Sequence, residues 1–104
     1  MLKNNEWIND LLAWYGNLLT DNQLTIMESY YQADLSLAEI AENNDVSRSA
    51  IHDTIKRSEE LLFNYENKLK VVTKFKERSR QYALLKQLNI ESVNNIVKQL
   101  ESIE

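Results

Sequence analysis

The chain has 104 residues, of which 43% are hydrophobic, with no cysteine, no proline and a single glycine, Gly16. This composition predicts one globular domain, residues 1–104, and excludes disulfides, thiolate metal sites and glycine-rich phosphate-binding loops. No apolar run is long enough to span a membrane, and the turn residues that hairpins need are almost absent. We therefore expect a cytoplasmic, all-α protein without a cofactor or a metal ion.

The charges are segregated along the chain, although the net charge is only −4. Residues 1–46 hold one basic and eight acidic residues, whereas residues 67–86 hold seven basic residues and one acidic residue. The local electrostatic field, more than the net charge, decides which surface attracts which partner. Within the single domain we therefore distinguish a head, residues 1–66, from a basic helical arm with a terminal helix, residues 67–104.

The first half of the chain predicts three helices. Steps of three and four residues give the first helix a stripe of apolar residues: Ile8, Leu11, Leu12, Tyr15, Leu18 and Leu19. Thr20 with Gln23 and Ser36 with Glu39 form capping boxes, which predict where the next two helices begin. Their expected inner residues are Leu24, Met27, Tyr30, Tyr31, Leu37, Ile40 and Ala41. We also expect Trp7, Trp14, Tyr30 and Tyr31 to lie in the core rather than to form a base-stacking platform.

The second half predicts one very long helix, or two helices with a kink. Ser47 is a natural N-cap, and no helix breaker follows it before about Asn89. A last helix from about Ile90 to Ile103 would bury the residues Val93, Ile96, Val97 and Leu100.

Residues 37–52 carry the pattern of a helix-turn-helix. Ala41 is small where the two helices must touch, and Asp45, four positions later, tolerates the positive φ that ends the first helix. The second helix has three apolar anchors, Val46, Ile51 and Ile55.

Six polar residues at the start of that second helix form the predicted contact site for a nucleic acid or a partner: Ser47, Arg48, Ser49, His52, Lys56 and Arg57. Residues at these positions reach base edges when such a helix enters a major groove, and Arg57 could reach a phosphate. An ordinary solvated face is the alternative interpretation. His52 is the only histidine, which argues against a zinc site and against catalysis.

The basic arm is a second candidate site, with the residues Lys70, Lys74, Lys76, Arg78 and Arg80. Lys70, Lys74 and Arg78 recur every four residues, and like charges at that spacing destabilise a helix by about a few tenths of a kcal/mol each. Phosphates of DNA or RNA, or the acidic head of a second copy, could offset this repulsion. The alternative interpretation is that these residues form an ordinary solvated face. The opposite face of the arm carries the apolar residues Leu69, Val72 and Phe75, which need to be buried against another surface. We therefore expect a homodimer formed by the arm and the terminal helix.

The head resembles the fourth conserved region of bacterial sigma factors, which binds promoter DNA through its recognition helix. This resemblance rests on Leu24, residues 36–41, residues 46–51 and residues 55–57. Nearly the full length is similar to the small YlxM family, through residues 18–20, Gln23, residues 30–31, residues 34–41, residues 47–53, residues 55–57, Leu61 and residues 65–69.

The similarity to the YlxM family implies an all-α, non-enzymatic regulatory protein linked to the signal recognition particle pathway. Its partners would be the particle's GTPase, its receptor or its RNA, without membrane insertion. The alternative, which the sigma-like head implies, is a DNA-binding transcription regulator.

Overall fold

A computed structural model describes residues 5–104 of the chain. Its helices are α1 (Glu6–Tyr15), α2 (Asp21–Tyr31), α3 (Leu37–Asn44), α4 (Arg48–Leu69), α5 (Val71–Gln87) and α6 (Glu91–Ser102), with a 3₁₀ turn at Gly16–Leu18. No strand occurs in this part of the chain, so the predicted all-α fold is confirmed. None of these helices is both long and apolar enough to cross a membrane. The residues group into two compact units, the first ending at Val72 and the second comprising Thr73–Glu104.

Both predicted capping boxes are present at the starts of α2 and α3. The Thr20 hydroxyl accepts a hydrogen bond from the Gln23 N–H at 3.1 Å, and the Gln23 side chain accepts one from the Thr20 N–H at 3.0 Å. Ser36 and Glu39 exchange the same two bonds, also at 3.1 and 3.0 Å. These bonds satisfy N–H groups that the start of a helix leaves without partners. Residues only three positions apart therefore determine where both helices begin.

The core of the first unit lies where α1, α2 and α3 pack against α4. Its buried residues are Ile8, Leu11, Leu12, Tyr15, Leu19, Ile26, Met27, Tyr30, Ile40, Ala41, Ile51, Ile55, Leu62 and Val72. Three predicted members of this core lie largely outside it. Leu18 is 55% exposed because it lies in the 3₁₀ turn after α1, and Trp7 and Trp14 are 37% and 39% exposed. These two tryptophans, seven residues apart, share a side of α1 that the buried stripe does not include.

The long helical segment is interrupted at Lys70, which has a φ of 58°. The side chain of Glu66 accepts a hydrogen bond from the Val72 N–H at 3.0 Å and another from the Tyr15 hydroxyl at 2.5 Å. The Tyr15 oxygen in turn accepts a bond from the Val71 N–H at 3.2 Å. Burial raises the pKa of Tyr15, and the hydrogen bond to Glu66 adds to that rise. Of the two predicted alternatives, two helices are therefore correct. Buried side chains accept hydrogen bonds from the N–H groups at the start of the second helix.

In the second unit, α5 and α6 are joined through a turn in which Asn89 has a φ of 54°. Arg78 donates two hydrogen bonds to the Glu104 carboxylate, at 2.8 and 2.9 Å, and the Lys86 ammonium lies 2.9 Å from Glu101. Val97 is buried as predicted, but Ile96 is 58% exposed, so the prediction that α6 buries it is wrong. Ile96 lies one position from Val97 and thus faces a different side of α6.

Candidate nucleic-acid interface

The turn of the helix-turn-helix is built by Asp45 in the left-handed conformation, with φ 55° and ψ 45°. The Val46 N–H donates to the Ala41 carbonyl at 3.0 Å, and the Asp45 N–H donates to the Glu42 carbonyl at 3.2 Å. This pair of bonds closes the end of α3 and reverses the chain within two residues. Ala41 is 4% exposed, so a small residue does lie in the buried contact region. The predicted motif is confirmed at the turn.

The second helix of the motif, α4, begins at a capped and anchored end. The Ser47 side chain accepts a hydrogen bond from the Ala50 N–H at 3.1 Å, as its predicted role as N-cap requires. Ile51 and Ile55 are 1% and 6% exposed and fix this end of α4 to the core. Val46 is 47% exposed, so its predicted role as a side-chain anchor is wrong. Its backbone N–H, bonded in the turn, is what takes part in the motif.

The six predicted contact residues are all exposed and lie together around the first part of α4: Ser47, Arg48, Ser49, His52, Lys56 and Arg57. We call this set the contact strip. Arg48, His52 and Lys56 are spaced by four residues and therefore share one side of the helix. Arg57 projects from the neighbouring side, because it follows Lys56 by one position.

The field of the contact strip is mixed. Three permanent cations, Arg48, Lys56 and Arg57, belong to it, but Asp53 lies between them in sequence and is also exposed. His52 Nδ1 lies 3.8 Å from Asp53 Oδ1, with both side chains more than half exposed. A carboxylate so close to the cations lowers the positive potential that a phosphate backbone would experience.

Next to the contact strip, a groove of about 380 Å³ opens on the surface of the first unit. Its lining residues are Tyr30, Tyr31, Leu37, His52, Ile55, Lys56 and Glu59. The Tyr31 hydroxyl donates a hydrogen bond to Glu59, and burial, followed by this bond, raises the pKa of Tyr31. The rings of Tyr30 and Tyr31 meet edge to face at 5.0 Å. Sequence reasoning missed this groove, because residues from the end of α2 meet the middle of α4 only through the tertiary fold.

The basic arm does not form one continuous stripe on a single helix. Lys70 lies in the break between α4 and α5, whereas Lys74, Lys76, Arg78 and Arg80 lie on α5. Arg78 is held by Glu104, and Arg80 forms a salt bridge with Glu77. These acids neutralise part of the charge within the second unit itself.

The chain is similar to known proteins over nearly its full length. The family model for UPF0122, the YlxM/p13-like helix-turn-helix proteins, matches residues 2–103. Proteins named UPF0122 from Bacillus thuringiensis (strain Al Hakam), Bacillus mycoides (strain KBAB4) and Bacillus anthracis (strain A0248) are each 50% identical to the chain. Each alignment covers 100% of this chain and 97% of the relative.

Proposed function

Because the chain belongs to the UPF0122 family of YlxM/p13-like helix-turn-helix proteins, we propose that it is a cytoplasmic, non-enzymatic regulatory protein of the signal recognition particle pathway. It would bind the particle's RNA or protein components through the contact strip. The observation that carries this proposal is the exposure of all six strip residues on a helix that is capped and anchored. The link to the particle rests on the resemblance to the YlxM family.

The fixed position of α4 supports recognition by the contact strip. Ser47 caps α4, and Ile51 of the same helix is only 1% exposed because it packs into the core. The backbone that carries Arg48 and His52 is therefore held in place. Side chains on a rigid element lose less conformational freedom on binding than side chains on a loop. The strip therefore has the properties of a preformed binding surface.

A DNA-binding transcription regulator is the second candidate. The observation in its favour is the helix-turn-helix itself, whose second helix has the exposed start that enters a major groove. The mixed charge of the strip opposes it, since Asp53 lies among the cations and Glu59 and Glu60 follow them. We therefore expect duplex DNA to bind weakly and with a steep dependence on salt.

A triple variant, Arg48→Ala, His52→Ala and Lys56→Ala, tests the contact strip. We expect an almost unchanged melting temperature, because these side chains are exposed, and at least a tenfold loss of affinity for the partner. Binding is measured separately against the particle's RNA, its purified GTPase and a labelled DNA duplex, each at two salt concentrations. Lys98→Ala with Gln99→Ala on α6, also exposed, is the matched control.

The outcomes of this experiment separate the two candidates. Loss of RNA or GTPase binding in the triple variant alone supports the regulatory role in the particle pathway. Tight duplex binding at both salt concentrations, lost in the triple variant, would favour the transcription regulator. A triple variant that unfolds, or that binds every partner like the wild type, would show that the strip is not the binding site.

The proposal includes a homodimer formed through the second unit. Its exposed large apolar residues are Leu84, Leu85, Leu88, Ile90, Ile96 and Ile103. Leu84 and Leu85 lie near the end of α5, and Leu88 lies in the turn that follows it, which gives this end of α5 an apolar side. Monomeric proteins rarely leave a large apolar side uncovered, and symmetric dimers are the commonest oligomers. Val72, one of the residues expected to need a cover, is buried in the core of the first unit and does not belong to this surface.

Sedimentation equilibrium of Leu88→Asp tests the homodimer. Leu88 is 58% exposed, so the charge should leave the monomer folded but dissociate the dimer. Leu18→Asp is the matched control, because Leu18 is 55% exposed and lies in the first unit. A wild-type mass near 12.2 kDa at micromolar concentration, or equal dissociation by both variants, would contradict a dimer formed by the second unit.

A further inference from the structure

The groove beside the contact strip has the size and the lining of a small-ligand site. Its volume of about 380 Å³ lies within the range of roughly 300–1,000 Å³ that is typical of such sites. Its floor is apolar, because Tyr30 and Ile55 are only 7% and 6% exposed and Leu37 completes it. A flat, largely apolar group with polar edges fits a groove of this kind.

Charged side chains of opposite sign, Glu59 and Lys56, line the groove. Glu59 is held by the Tyr31 hydroxyl, which bonds one of its two carboxylate oxygens. A carboxylate has about four acceptor positions, so Glu59 can accept further N–H donors while Tyr31 keeps it in place. Lys56 and His52, which lie three and seven residues before it on α4, supply donors for an anion at the mouth.

The groove is continuous with the contact strip. His52 and Lys56 belong to both, so a nucleic-acid backbone that follows the strip passes the mouth of the groove. A base in a duplex is paired and stacked, so an unpaired base turns out of the strand into a side pocket at a lower free-energy cost. The shared residues His52 and Lys56, together with the Glu59 carboxylate that lines the groove, thus point to an unpaired base with its adjoining phosphate.

We propose that the groove holds an unpaired guanine base of an RNA, with Glu59 on the base edge and Lys56 and His52 on the adjoining phosphate. Guanine presents two neighbouring N–H donors, N1–H and the N2 amino group, which match the two oxygens of a carboxylate. Adenine and cytosine place a ring acceptor beside their amino group, and uracil flanks its one N–H with two carbonyl oxygens, so each meets the carboxylate less well. The inference deepens the proposed function, because it rests on RNA binding by the contact strip.

Short labelled RNAs test this assignment by fluorescence anisotropy. The probes are an octauridine and four versions of it that carry one central guanosine, inosine, adenosine or cytidine. We expect the guanosine probe to bind about tenfold more tightly than the adenosine and all-uridine probes, with inosine in between because it lacks the N2 amino group. Free guanosine monophosphate is added as a competitor in a separate arm.

Glu59→Gln is the decisive variant, and Glu60→Gln is its matched control. The amide of the first variant retains one oxygen for Tyr31 but loses the second acceptor, so the preference for guanosine should fall to within about twofold of adenosine. Glu60 is the next residue, is exposed and does not line the groove, so its variant should keep the preference. The melting temperatures of both variants confirm that each is folded.

Each other outcome overturns the guanine assignment in a distinguishable way. Equal affinity for all five probes, lost in the triple strip variant, would leave RNA binding by the strip intact and reject the base site. Failure of all probes to bind, with binding to the GTPase retained, would reject RNA but not the regulatory role. Competition by guanosine monophosphate at the concentration at which the guanosine probe binds would assign the groove to a free nucleotide instead.

Discussion

The two units of this protein bury apolar surface in different ways. Among the described residues, fourteen buried apolar residues of the first unit form one cluster, whereas Val97 is the only one buried in the second unit. The helices of the second unit are joined by exposed ion pairs, which contribute little to stability in water. The contrast teaches that α4 packs on a buried core, while α5 and α6 leave most of their large apolar side chains exposed.

The largest expected effect tests the contrast in burial. Leu62 in α4 is 0% exposed, so Leu62→Ala should lower the free energy of unfolding by about 2–5 kcal/mol. Leu88→Ala removes the same atoms from a side chain that is 58% exposed, and should cost no more than about 0.5 kcal/mol. Urea denaturation at a protein concentration low enough for the monomer gives both values. Similar losses for the two variants would contradict the difference between the units.

A smaller effect is expected from the removal of one hydroxyl group in each unit. Tyr15→Phe deletes the donor to buried Glu66 and the acceptor of the Val71 N–H, which should lower the free energy of unfolding by about 1–3 kcal/mol. Tyr82→Phe deletes an exposed bond to Glu104, where water can replace the hydroxyl, so no measurable change is expected. Thermal denaturation of the two variants provides the comparison. A larger loss for Tyr82→Phe would reverse the ranking of the two bonds.

The smallest effect is the dependence of stability on pH, and it concerns the second unit alone. The Arg78 guanidinium, followed by the Tyr82 hydroxyl, lowers the pKa of Glu104 below its usual value. The stabilisation by this pair is therefore present above the usual glutamate pKa and is lost as the pH falls through the lowered value. An NMR titration of the Glu104 carboxylate should show the shift, and Arg78→Ala should return the pKa towards its usual value. Arg80→Ala, which removes a cation paired with Glu77, should leave it unchanged.

Features that depend on neighbouring residues could be predicted from the sequence. The capping boxes at Thr20 and Ser36 involve residues three positions apart, and the left-handed conformation of Asp45 follows from the spacing to Ala41. The all-α fold follows from the scarcity of turn residues. Each of these is a local preference that the tertiary fold does not override.

Features that depend on distant residues could not be placed in advance. The break at Lys70 has no glycine, proline or asparagine to mark it, and the start of α5 is satisfied by Tyr15, 56 residues before Val71. The groove likewise arises from the pairing of Tyr31 with Glu59, 28 residues away. For the contact strip, the sequence predicted which residues are exposed, while the groove next to it became visible only in three dimensions.

The bond network of Tyr15, Glu66 and the start of α5 has a consequence for how the chain can be dissected or recombined. A fragment that begins after α1 would lose the Tyr15 hydroxyl and leave the Glu66 carboxylate and the Val71 N–H without the partner they have here. A chimaera that takes α1 from one relative and α4 from another would keep the network only if the parent of α1 carries this tyrosine and the parent of α4 carries this glutamate. Tyr15 and Glu66 therefore have to be transferred together, although 51 positions separate them.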